Sequence, residues 1–101
     1  LFDHQIVQLK LNEMYMLTEA LRSFVLRVAW QHDQGTKSAN SGLAMNFSTD
    51  VILRVTRLNL DIHGSGCGRM NARADKLVRD AMVWSHLAGD TVQRLKVMQK
   101  L

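Results

Sequence analysis

The sequence predicts an all-α protein, an up-and-down helical bundle. Three observations point there. Apolar residues recur at helical spacing along most of the chain, glycine falls in a few breaks between those runs, and proline is absent. Two of the breaks carry the candidate chemistry: Asp61-Ile62-His63-Gly64-Ser65-Gly66-Cys67-Gly68 and Leu87-Ala88-Gly89-Asp90-Thr91. In the first, glycines at alternate positions allow positive φ and leave a run of exposed amides of the kind that cradles a phosphate.

The bulk properties narrow the class. A chain of 101 residues is one domain at most, and 47% apolar content is ordinary for a globular core. The 13 basic and 9 acidic residues are spread rather than blocked, which reads as a solvated surface and not as a nucleic-acid patch. The lone Cys67 has no internal partner, which fits a reducing compartment. No apolar run approaches the ~18 residues of a membrane span. The chain opens on Leu1 rather than Met, so a piece of a longer protein is expected, and a leader on that parent stays open.

The first helix is expected over 3–31, with Ile6, Leu9, Met14, Leu17, Leu21, Phe24, Val25 and Val28 on its apolar side. At about 42 Å it is longer than a domain this small covers, which argues for a bundle inside a larger assembly. A polar connector, 32–42, follows. A second helix is expected over 41–62, with Ala44, Phe47, Val51, Val55, Leu58 and Ile62 on one stripe. Its second half is β-branched enough to suggest a strand before a glycine turn, the start of a Rossmann phosphate loop. The six-position helical stripe and the interruption of any period-2 pattern by Arg54 and Thr56 decide for helix. A third helix, 74–87, is expected to bury Leu77, Val78, Ala81 and Trp84. Gly89 suits its C-cap, and Asp90 followed three residues later by Gln93 suits the N-cap of a fourth helix, 91–101. The six methionines lie among the apolar stripes and read as core filler.

The order of these elements, the run from Asp61 through Ala81 and the later Gln93-Arg94-Leu95 resemble the acyl-CoA dehydrogenase family. The first run follows that family's "Q-I-H-G-G-x-G-x … L-x-R-D-A" pattern and the second its "I-Q-R-L". The likeness is to the C-terminal helical-bundle domain and covers nearly all of the chain. It implies most of a four-helix bundle, the first helix preceding Leu1, within a flavoprotein that also has an N-terminal helical domain and a β domain. It further implies FAD as cofactor, an acyl-CoA substrate oxidised to the 2-enoyl-CoA, and electron-transfer flavoprotein as acceptor. The assembly implied is a homodimer or a dimer of dimers, in the cytoplasm or, in a eukaryote, the mitochondrial matrix.

Carried over residue by residue, the resemblance puts Leu1, His4 and Gln5 beside the flavin nucleotide, and Gly64 and Ser65 at the diphosphate. Asp90 and Thr91 take the family's later cofactor contact, across a one-residue gap. Two positions depart from the pattern. Asp61 stands where the family has Gln; a carboxylate repels a diphosphate unless a cation intervenes, and the alternative is that it faces solvent or caps Arg57. Ala88 stands where many members carry the glutamate base, as in the branch resembling isovaleryl-CoA dehydrogenase, whose base lies on an earlier helix. There the role left to Ala88 is its backbone N–H, aimed at the thioester carbonyl. Other readings on the same fold are a non-catalytic subunit of a heteromeric dehydrogenase and a flavin monooxygenase. His63, Cys67, His32 and His86 carry no activating partner or metal-ligand spacing in the sequence.

Overall fold

The computed structural model describes residues 4–36, 39–64, 72–88 and 90–100. They form four helices: α1 (Gln5–Asp33), α2 (Asn40–His63), α3 (Ala72–Ala88) and α4 (Thr91–Gln99). The β-branched stretch 51–62 lies inside α2. Its helical stripe wins because Val51 and Leu58, each 3% exposed, are buried from the same face of one helix. Among the described residues there is no strand, and no helix is long and apolar enough to cross a membrane.

α2 is the middle of the structure, flanked by α1 on one side and α3 on the other. Three contacts fix α1 and α2 as antiparallel. Asn40 Nδ2 donates to Gln31 Oε1 at 3.0 Å, the Phe24 and Phe47 rings lie 6.2 Å apart, and Lys10 Nζ stands 3.9 Å from Asp61 Oδ2. α3 returns along the other flank, where Trp84 Nε1 donates to Ser48 Oγ at 3.2 Å near the start of α2. The buried seam is narrow. Ala44, Val51 and Leu58 repeat every seven residues on α2, and Ala74 and Ala81 do the same on α3. That heptad spacing keeps one stripe facing its partner, and the alanines let the two backbones approach closely.

α4 packs on the first half of α2, where Arg94 reaches Asn46 and Asp50 and Val97 lies against Gly42. A Cβ built on Gly42 would fall 2.6 Å from Val97 Cγ2, so glycine is what admits α4 here. At the new helix start Asp90 Oδ1 accepts from Gln93 N–H at 2.9 Å, the expected N-cap.

Three expectations about burial are corrected. α1 buries no residue fully, and Ile6 and Leu9 of its apolar side are about two-thirds exposed. On α3, Leu77 and Trp84 are exposed while Ala81 is buried. Met16, Met45, Met82 and Met98 are likewise exposed, so most methionines are surface rather than core filler. One physical cause covers all three. The helices form a single open layer on α2, and only the residues along its seam, such as Ala44, Val51, Leu58, Ala74 and Ala81, are shielded from both sides. An apolar groove of about 330 Å³ stays open over α2, walled by Val25, Val28, Ala44, Met45 and Trp84.

Candidate functional site

The antiparallel packing gathers some of the expected site residues and separates others. His4 and Gln5 start α1, and Asp61 and Gly64 end α2, so these four share one end of the layer. Leu1 and Ser65 belong to the same expectation and lie outside the described residues. Ala88, Asp90 and Thr91 are at the α3–α4 junction, beside the first half of α2. Ser48, under Trp84, is thirteen residues before Asp61 on α2, which puts the two groups about 20 Å apart along that helix.

At the first end, His4 makes no side-chain capping bond to α1, and no acidic residue stands in the first turn. This helix start, uncapped by the His4 side chain, is the positive end of a 29-residue helix. Gly64 is the C-cap of α2, with φ 60° and ψ −148°, a region open to glycine alone. Its own N–H closes the helix by donating to the Leu60 and Asp61 carbonyls, so it is not a free donor. Among the described residues nothing lies within 4 Å of the place a Cβ would occupy. His63 Nδ1 sits 2.8 Å from the Asn59 carbonyl, which makes Nδ1 the protonated nitrogen and turns Nε2 outward.

Asp61 neither caps Arg57 nor stands as a bare charge. Its partner is Lys10, across the helix pair. Beside them Arg54 holds Glu13 with two bonds, Nε to Oε2 at 2.9 Å and Nη2 to Oε1 at 3.2 Å. These four charges ring a groove of about 280 Å³ whose apolar wall includes Ile6 and Leu58. Lys10, Glu13 and Arg54 were missing from the sequence expectation because their partners are more than forty residues away. One signal existed. The residue numbers of the partners in Gln31–Asn40, Phe24–Phe47 and Lys10–Asp61 add to the same value, as an antiparallel pair about one connector requires.

At the second end, Ala88 is the last residue of α3, where the helical pattern directs its N–H to the Trp84 carbonyl. The Asp90 carboxylate is occupied in capping α4, and Thr91 is the exposed first residue of that helix. Arg94, not foreseen as more than a motif letter, ties this end to α2. Its Nη2 donates to Asp50 Oδ1 at 2.7 Å and to the Asn46 carbonyl at 3.2 Å, and Nη1 to Asp50 Oδ2 at 3.3 Å. The hydrogen bond to Asp50 holds the guanidinium above its ordinary pKa. Among the described residues no group of His, Cys, Asp or Glu is placed to hold a metal ion.

The described helices thus form an open layer with an uncovered apolar groove and charged ends. The family model for the acyl-CoA dehydrogenase C-terminal domain matches residues 1–101, and the chain belongs to that family. No solved structure matches it. The family generally depends on FAD. The donor set at the first end fits such a group: uncapped helix amides, His4, Gln5 and Lys10 suit a diphosphate, and Lys10 offsets the carboxylate of Asp61.

Proposed function

We propose that this chain is the FAD-contacting and oligomerisation domain of a flavin-dependent acyl-CoA dehydrogenase, acting on an acyl-CoA to give the 2-enoyl-CoA. The observation that carries the proposal is the Lys10–Asp61 pair at the end where His4, Gln5 and Gly64 converge. It supplies the cation that the departure from the family's Gln demands. The flavin, when bound, accepts the hydride from the substrate's β-carbon, a chemistry that belongs to the cofactor.

The chain's own residues do the positioning. The first turn of α1 and Lys10 would hold the diphosphate oxygens, Gly64 would give its backbone clearance, and the Ala88 amide would orient the thioester carbonyl. The base that removes the α-proton would come from outside this domain. An electron-transfer flavoprotein would be the electron acceptor of the full-length protein.

The two ends would serve two different molecules of FAD, each site completed by a neighbouring subunit. They lie about 20 Å apart along α2, and α1 and α3 cover the flanks between them. The surface supports assembly as well. A compact monomer of 11.5 kDa exposes about 5,800 Å², whereas this chain exposes 7596 Å². The excess exceeds the ~800 Å² that one partner contributes to a standard interface.

The test is the flavin-to-protein ratio and FAD dissociation constant of the full-length protein, read against its sedimentation. Flavin is expected to be lost as the oligomer dissociates on dilution. Asp61→Asn should tighten FAD about fivefold and Lys10→Ala should weaken it by a similar factor, each reflecting one charge contact of about 1 kcal/mol. Unchanged values in both variants would remove this end from the cofactor site.

A further inference from the structure

The α3–α4 junction is held from both sides by one short segment of α2. On the α3 side, Trp84 Nε1 donates to Ser48 Oγ at 3.2 Å, one helical turn before Ala88. On the α4 side, Arg94 makes its three bonds to Asp50 and the Asn46 carbonyl, one helical turn after Asp90. Asn46, Ser48 and Asp50 span little more than one turn of α2, whose backbone is rigid and whose neighbours Thr49 and Val51 are buried. Among the described residues α4 is short, buries no residue fully and packs chiefly against α2.

We infer that Arg94 is the positioning residue of the junction: with Asp50 it closes a two-point clamp, completed by Trp84 and Ser48, that sets where Ala88, Asp90 and Thr91 stand. The argument is geometric. Two hydrogen bonds to one carboxylate fix the plane of the guanidinium and not only its distance, and the third bond, to a main-chain carbonyl, ties that plane to the α2 backbone. The position passes from Arg94 down one turn of helix, through the Arg94 N–H to Asp90 carbonyl bond at 3.1 Å, to the capping Asp90. Trp84 fixes the other arm. A displacement of α4 therefore moves Asp90 and Thr91 relative to Ala88, which α3 carries. That the junction meets cofactor or substrate rests on the function proposed above; that it is clamped does not.

The experiment uses the full-length protein and reads amide hydrogen exchange at 88–93 together with the FAD dissociation constant and the visible circular dichroism of the bound flavin. Arg94→Gln and Asp50→Asn should each speed exchange at the junction about fivefold, the scale of an exposed but bidentate pair. The double variant should be no faster than either single one. Arg94→Lys, which keeps the charge without the fork, should restore only part of the protection. Arg79→Gln, which removes the Asp75 partner within α3, should leave the junction unchanged. Exchange at 88–93 equal to wild type in both single variants overturns the inference. So does acceleration spread evenly over α1 and α2, which would mark general destabilisation. A faster junction with FAD affinity and flavin dichroism unaltered leaves the clamp standing and overturns its service to the cofactor. A wild-type protein that binds no flavin sinks the proposed function, while the exchange pattern still decides the clamp.

Discussion

Gly42→Ala tests the packing of α4 directly. Alanine ordinarily stabilises a helix interior over glycine by about 1 kcal/mol, so from propensity alone this substitution in α2 should help. The structure reverses the sign. The new Cβ would stand 2.6 Å from Val97 Cγ2, and a β-branched side chain in a helix has one favoured rotamer and no way to swing aside. The strain is relieved only by moving α4 outward, which stretches the Arg94 bonds to Asp50 and Asn46. Overpacking of this kind costs about 1–3 kcal/mol. Set against the propensity gain, the net loss is about 1 kcal/mol, or roughly fivefold faster amide exchange across 91–99. Val97→Ala should reverse it: with both changes the methyl has room, the propensity gain remains, and exchange should return to the wild-type rate or slower. Gly42→Ala exchanging no faster than wild type would refute the reasoning. Failure of Val97→Ala to rescue it would locate the strain elsewhere.

The other expectations follow from single contacts. Asp90→Ala removes the N-cap of α4 and should cost about 1 kcal/mol, seen as faster exchange of the Gln93 amide with α1 and α2 unaffected. Leu58→Ala empties the seam at its most shielded large residue and should cost about 2–5 kcal/mol, measured by calorimetry of the full-length protein. The Arg94–Asp50 contribution is complete below the ordinary arginine pKa and is lost only as pH climbs past the raised folded value. Exchange at 91–99, corrected for its intrinsic pH dependence, should therefore stay level through neutral and mildly alkaline pH.

Much of the fold was legible because it is written in local pattern. The stripe through Ala44, Val51 and Leu58 identified α2 against the pull of its β-branched residues, and the Asp90–Gln93 spacing marked the restart of the chain at α4. Burial was less legible, since a periodic apolar residue announces a face and not what covers it. Leu77 and Trp84 have the right spacing on α3, yet the alanines at 74 and 81 occupy the seam and the larger side chains lie out to its side. The placement of α4 was not legible either. It depends on Gly42 and Val97, fifty-five positions apart, whose proximity no local rule reports.

The site divides along the same line. The resemblance assigned His4, Gln5, Asp61, Gly64, Asp90 and Thr91 to one cofactor, because a motif records residue types along the chain and not where the fold carries them. The packing separates them into an α1–α2 end and an α3–α4 junction on either side of a covered stretch of α2. Asp61 shows the same limit at the scale of one residue. Read alone, a carboxylate in place of a glutamine is a defect in an anion site. Read with α1 packed against α2, it is half of an ion pair with Lys10, one helix across and fifty-one positions earlier. The local charge at Asp61 is a property of that pair, and tertiary register, not the motif, brings its two halves together.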